Sequence, residues 1–276
     1  MNDNRYKVYF LGNGRIIQEP KPEHKKKIQE EVMPYMNQEY FPLHEAAYGS
    51  IEGKNTIQCA LLHDGAEYIL NMDIRKFYPS VNYSHIIKNI DEDKRHLMDY
   101  LLRLALIYKS ENDNCLPTGA QSSPYLANLA VKDIDLKLSI LAEEESVTLN
   151  SKVVYTRYLD DITFSIHGPF RRWTLKDDIK KIVEESGFRI NHKKTKWMTS
   201  GSDNMNILGI SNLKNLGVKI PRKFKLELKD ELFFMAKNGE ELNDVVNGKL
   251  AYVKFIEPSL YNKLISRYRK HFERTI

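Results

Sequence analysis

The chain is poor in cysteine. Cys59 and Cys115 are its only two, too few for a disulfide scaffold and insufficient by themselves for a zinc site. It also lacks any uninterrupted apolar run near the roughly 20 residues that a bilayer-crossing helix needs. Its opening, MNDNRYKVYF, carries no apolar signal segment. A membrane protein and a secreted mini-protein are thereby excluded, and a cytoplasmic location is expected. No Gly/Ser-rich or Pro-rich linker divides the sequence, and no repeat of solenoid period is visible. Neither sign of charge dominates: 42 Lys and Arg face 37 Asp and Glu, a net charge of +5. What is present, 42% hydrophobic and 29% charged residues in 276, describes a folded globular protein rather than a disordered one. The modest positive excess permits a nucleic-acid partner without demonstrating one.

Periodicity gives an α+β chain. YKVYFLGNGRIIQEP alternates around Gly12-Asn13-Gly14 and predicts a hairpin with Arg15 just past its tip. Pro22 opens a helical segment. EYILNMD, Glu67 to Asp73, reads as a strand, and the residues after it turn at Pro79. Helices are predicted over about Asp91–Tyr108, Tyr125–Glu144 and Lys176–Glu185, and SKVVYTRYLDDITFSI reads as a second hairpin. A short GFRIN strand and the NILGI segment follow. From Leu216 onward the pattern is helical and basic, with thirteen Lys and Arg against eight Asp and Glu. This order of strands and helices suggests a split βαβ arrangement.

Candidate chemistry centres on carboxylates. An adjacent acidic pair is ordinary on a solvated helix, as in Asp177-Asp178 of KDDIKK. Asp160-Asp161 differs, because it interrupts a strand pattern dense in Val, Tyr, Ile and Phe, where Asp is disfavoured. Two like charges at a tight hairpin repel unless a cation or ligand neutralises them. Asp73 ends a second apolar strand. If the two strands are neighbours, three acids converge with no His or Cys beside them, and hard oxygen ligands of that kind suit two Mg²⁺ clamping an in-line phosphoryl displacement. Three structural carboxylates at strand ends are the other reading of the same residues.

In order, the motifs Asp73…Phe77-Tyr78-Pro79-Ser80, Leu116-Pro117-Thr118-Gly119…Ser123-Pro124…Leu126-Ala127-Asn128 and Tyr155-Thr156-Arg157-Tyr158-Leu159-Asp160-Asp161 resemble a reverse transcriptase, and more narrowly the bacterial retron branch. The likeness runs on through GFRINHKKT to VKIPRKFKLEL and covers nearly the whole chain. It implies a right-hand polymerase with fingers over residues 1–65, a palm over 66–215 holding a fingers insertion at about 84–115, and a helical thumb over 216–276. It further implies that Asp73, Asp160 and Asp161, with the carbonyl of Ile74, bind two Mg²⁺. Lys194 would protonate departing pyrophosphate, although it is also one of several lysines in HKKTK. Arg15 would reach the triphosphate. Tyr78 would lie beneath the sugar and exclude a 2′-hydroxyl. Thr118, Gly119 and Gln121 would border the incoming nucleotide, and Leu208-Gly209 would support the primer. Arg222, Lys223, Lys225, Arg267, Arg269 and Lys270 would grip the duplex and a structured noncoding RNA through phosphate contacts.

The implied activity is RNA-directed synthesis of cDNA from deoxynucleotides in an anti-phage defence system, with any effector a separate chain and no attached nuclease domain. Three positions depart from the family pattern: Thr118 stands where glutamine is usual, Cys59-Ala60-Leu61-Leu62-His63 where Asn-Ala-x-x-His is usual, and Ile207-Leu208-Gly209 where Val-Thr-Gly is usual. Thr118 keeps open untemplated or protein-primed DNA synthesis. A noncatalytic RNA-binding scaffold is the reading from a different class. His63 fits a core histidine and an RNA contact equally.

Overall fold

Alternating residues on either side of Gly12 and Gly14 form an antiparallel hairpin of β1 (Tyr6–Phe10) and β2 (Ile16–Pro20), with Phe10 opposite Ile16. Its tip is closed by the Leu11 amide on the Arg15 carbonyl at 2.9 Å. The computed structural model describes residues 3–12, 14–108, 113–170, 174–200, 205–213 and 217–272, without the side chains of 212, 213, 217, 218 and 269–272. Pro22, whose missing amide proton costs nothing in a first turn, starts α1 (Pro22–Lys27), which widens into a π-helical turn over Ile28–Val32. Next in order come α2 (Thr56–Leu61), β3 (Tyr68–Asp73), α3 (Phe77–Ser80), α4 (Tyr83–Ile87) and α5 (Arg95–Ala105). The two-residue strands β4 (Ile107–Tyr108) and β5 (Asn114–Cys115) precede α6 (Ser123–Ala130) and α7 (Lys132–Leu149). The second predicted hairpin is β6 (Lys152–Tyr158) and β7 (Asp161–His167), followed by α8 (Leu175–Glu185) and β8 (Lys196–Thr199).

The chain forms two compact units, Met1–Asn55 with Tyr68–Trp197, and Thr56–Glu67 with Met198–Ile276. These cuts fall elsewhere than at the expected boundaries of 65 and 215, since α2 groups with the C-terminal helices. In the first unit the central sheet has the order β6-β7-β3-β8, with β7 antiparallel to both β6 and β3. Leu70, Met72, Ile162, Phe164 and Ile166 from this sheet share one core with Leu126 and Leu129 of α6, Ile134 and Leu138 of α7, and Leu175, Ile179 and Val183 of α8. Each such side chain contributes about 1.5–3 kcal/mol on leaving water.

Three local expectations are revised. The helix predicted from Tyr125 to Glu144 is two helices, broken at Val131 (φ −110°, ψ 14°) and starting at Ser123 with Pro124 in its first turn. The helix predicted from Asp91 begins as a 3₁₀ turn and ends at Ala105, where Leu106 is extended and fully buried. The GFRIN strand shrinks to a single antiparallel bridge between Ile190 and Ile74.

In the second unit α2 packs with a small sheet of β9 (Asn206–Ile207), β10 (Ile210–Leu213) and β11 (Gly217–Lys219). His63 just after α2 is fully buried, a core position rather than a surface one. The helices α9 (Arg222–Asn238), α10 (Asp244–Ile256) and α11 (Pro258–Phe272) bury Leu228, Leu232, Val246, Leu250, Val253 and Leu264. Gly239 ends α9 in the left-handed region (φ 69°), and the Asn243 side chain caps α10 by accepting from the Val246 amide. Among the described residues no helix is long and apolar enough to cross a membrane.

Candidate active site

Strand pairing brings the first acid to the other two. In the β3–β7 register Asp73 is the direct partner of Asp161, and the Ile74 amide donates to the Asp160 carbonyl at 2.8 Å. All three aspartates therefore lie at one end of the central sheet. Asp73 is buried; Asp160 is half-buried and Asp161 reaches solvent. The Asp73 carboxylate is held from outside the triad. Asn191 Nδ2 donates to its Oδ1 at 2.9 Å, and Lys194 Nζ donates to its Oδ2 at 2.5 Å. Among the described residues no three His, Cys, Asp or Glu side chains stand together in a way that holds an ion as they are. Asp73 is turned instead toward the lysine.

The electrostatics match that placement. Burial pushes Asp160 upward and the Asp73 charge adds to the rise, with its own backbone amide and Lys194 acting against it. Asp161, although the residue keeps contact with solvent, is pushed up to about 6, first by partial loss of the water around its carboxylate and then by Asp160 and Asp73. Lys194 is raised, chiefly by its hydrogen bond to Asp73. Two acids are thus reluctant to ionise although Lys194 and Lys196 both act on Asp161, an arrangement that a bound divalent cation would relieve.

The turn between β6 and β7 is two residues long, and Leu159 at its first position has φ 56°. A γ-branched residue in the left-handed region costs roughly 1–2 kcal/mol, so the surroundings must fix it. Arg157, fully buried, does so from below: its Nη1 donates to the Leu159 carbonyl and to Asn128 Oδ1, both at 2.8 Å. Its Nε and Nη2 grip both oxygens of the buried Asp135 at 2.7 Å, and the Tyr155 hydroxyl donates to the same carboxylate. Asn128 in turn donates to the Gly49 carbonyl at 2.8 Å. Sequence reasoning quoted Arg157, Asn128 and Asn191 within motifs but gave them no role, and it missed Asp135. A charged residue inside the apolar VVYTRY strand was the signal available, the same one that singled out Asp160.

The residues expected around a nucleotide are partly gathered. Tyr78, Gly119 and Gln121 line one cleft of about 450 Å³ with Glu19 and Lys25. Burial pushes the Tyr78 hydroxyl up to about 12, helped by Asp160. Thr118 lies one residue before Gly119, and its carbonyl accepts from the Gln18 amide at 3.2 Å. Gly119, at φ 152°, is required here: a Cβ would stand 2.9 Å from the Gln18 carbonyl oxygen. Arg15 is exposed and does not line this cleft. Ile74 is buried, with its amide spent on Asp160.

The remaining candidates belong to the second unit. Leu208 and Gly209 form the left-handed turn between β9 and β10, and the Tyr252 hydroxyl donates to the Gly209 carbonyl. Arg222 and Lys223 are exposed, the latter 3.8 Å from Glu227. Lys225 is ion-paired with Glu257 at 2.8 Å, and Arg267 lies over the Tyr268 ring. Arg269 and Lys270 sit on α11, and their side chains lie outside the described ones.

Comparison with known proteins gives the family. Residues 14–220 match the family model described as reverse transcriptase (RNA-dependent DNA polymerase). The chain is 26% identical to the retron Ec73 reverse transcriptase of Escherichia coli, covering 82% of this chain and 75% of that protein. It is 31% identical to the retron Mx162 reverse transcriptase of Myxococcus xanthus, covering 69% of this chain and only 43% of that one. Retron Ec83 reverse transcriptase of E. coli is 26% identical over 95% of this chain and 86% of its own length. In fold it resembles telomerase from Candida albicans solved with a fragment of telomeric RNA, with a TM-score of 0.56 and 11% identity over 98% of this chain. The chain spans about half of that telomerase, 56% of its length. It therefore belongs to the reverse transcriptase (RNA-dependent DNA polymerase) family and, within it, to the retron type.

Proposed function

We propose that this chain extends a 3′-hydroxyl with deoxynucleotides on a structured noncoding RNA, in a retron-like defence system whose effector is a separate protein. The observation that carries the reading is the pairing of Asp73 with Asp161 beside Asp160, three acids at one sheet end with two of them held above the usual carboxylate range. Hard oxygen donors with no thiol or imidazole among them suit Mg²⁺, and the mutual repulsion of the acids fits a site built for cations. Asp73, Asp160 and Asp161 would hold two such ions, with the Ile74 carbonyl as a further donor. When bound, these ions would activate the attacking hydroxyl and neutralise the leaving pyrophosphate.

The chain's own residues divide the remaining work. Lys194, whose ammonium already rests on Asp73, would give a proton to pyrophosphate. The Tyr78 ring would lie under the sugar and reject a 2′-hydroxyl by contact. Arg15 would hold the triphosphate with a two-donor grip. Thr118, Gly119 and Gln121 would border the nascent base pair, and Leu208 with Gly209 would support the primer. Residues 1–65 would act as fingers, 66–215 as palm and 216–276 as thumb, with Arg222, Lys223, Lys225, Arg267, Arg269 and Lys270 reading the A-form duplex by its phosphates and shape.

The test is primer extension by the purified protein with and without template RNA and Mg²⁺, with the products sequenced. Product complementary to the RNA and abolished by Asp160→Asn supports this reading. DNA without a complementary template supports untemplated synthesis, and product unaffected by the substitution supports a scaffold.

A further inference from the structure

The Leu159-Asp160 turn has both its carbonyls engaged, Asp160's by the Ile74 amide and Leu159's by Arg157 Nη1. Only the first bond comes from the backbone. The second comes from a guanidinium whose other partners are all buried: Asp135 on α7 and Asn128 on α6. From there the chain of contacts continues to the segment flanking the turn. Asn128 donates to the Gly49 carbonyl, the Arg157 amide donates to the Ala46 carbonyl at 2.8 Å, and the Tyr48 amide donates to the Arg157 carbonyl at 2.8 Å. Gly49 then presses on the turn: a Cβ there would lie 2.6 Å from Leu159 Cγ and 2.8 Å from the Leu159 amide nitrogen.

A buried ion pair is a poor way to gain stability, because apolar side chains of equal volume commonly do as well. What such side chains cannot provide is a rigid donor fork that satisfies one carboxylate, one amide oxygen and one backbone carbonyl at once. Here that fork delivers one bond out of the core, to the residue before Asp160. We infer that Arg157, set by Asp135 and Asn128, is a positioning residue that holds Leu159 left-handed and so aims the Asp160 carboxylate, with the Ala46–Gly49 segment as its counter-support. The inference rests on the polymerase reading of Asp160. A lysine at 157 keeps the charge but not the fork, so Arg157→Lys will not rescue the function.

Two variants test it from opposite sides. Asn128→Ala removes one partner of Arg157, and Gly49→Ala pushes Leu159 from the other side without altering the Asp135 or Asn128 side chain. Primer extension, thermal melting and Mn²⁺ binding to the nucleotide-free protein, the last by electron paramagnetic resonance, are measured together. Each variant is expected to lose about tenfold or more in kcat with the deoxynucleotide KM changed by less than about twofold, since misplacement of about 1 Å can cost 10²-fold in rate. Mn²⁺ binding should weaken in both, even where the melting temperature holds. Wild-type kcat and wild-type Mn²⁺ affinity in both variants would overturn the inference, as would a kcat loss that disappears on cooling below the melting transition. If Asn128→Ala does not fold, Gly49→Ala alone decides. Asp160→Asn separates the two levels: if it polymerises as the wild type does, the polymerase reading falls and takes this inference with it; if it is silent while both test variants behave as wild type, only the positioning role falls.

Discussion

Two groups of charges lie within the same unit and are treated in opposite ways. Beneath the hairpin, Arg157, Asp135, Asn128 and Tyr155 satisfy one another at 2.6–2.8 Å in a fully enclosed place. At the sheet end, Asp160 and Asp161 repel each other and Asp73, with Lys194 hydrogen-bonded to Asp73 and Lys196 acting on Asp161 from further off. The first group fixes geometry because nothing about it is left to be completed. The second holds an excess of negative charge that a proton or a bound cation would relieve, as the proposed metal site requires. A fold can bury ions at either kind of place, and the count of unmatched charges distinguishes scaffold from chemistry.

Breaking the satisfied group should give the largest effect. Asp135→Ala leaves a buried guanidinium unpaired and is expected to cost about 3–5 kcal/mol in denaturant unfolding. In the repulsive group, Asp160→Asn should lower primer extension by about 10²–10³-fold while the protein stays folded by circular dichroism. Lys194→Met should follow, with an expected kcat loss of about 10²-fold in single-turnover extension if it is the proton donor.

The smallest effect has the opposite sign. Asp161 is raised from 3.8 to about 6, so the folded protein binds its proton more tightly than the unfolded chain does. Its contribution to stability is present at acid pH and is lost as pH rises through about 6. Without divalent ions, Asp161→Asn should therefore raise the melting temperature at pH 7.5 by roughly 2–4 °C, and the gain should vanish near pH 4. Melting curves with a chelator at both pH values measure it; an equal shift at both would show that repulsion is not the cause.

How much of this was legible in the sequence follows from the range of each signal. The Gly12–Gly14 turn and the alternation flanking Asp160-Asp161 are local, and both hairpins form where they predict. The convergence of Asp73 on Asp161 was legible as a condition, that two apolar strands be neighbours, and the register meets it. The break at Val131 was not legible, because neither Pro nor Gly marks it and apolar periodicity runs straight through. Asn191 and Asp135 were missed for another reason. Asn191 acts on Asp73 across 118 positions and Asp135 on Arg157 across 22, and no periodicity reports a partner so remote. The C-terminal lysines read as one basic surface in sequence, yet Lys225 is already matched with Glu257.

The position of Tyr78 carries one more consequence. A phenol lifted to about 12 stays protonated throughout the alkaline conditions in which nucleic-acid synthesis is usually followed. If the ring lies beneath the sugar as proposed, it meets the nucleotide as a neutral phenol, and the ratio of ribonucleotide to deoxyribonucleotide incorporation should be flat from pH 7 to 9.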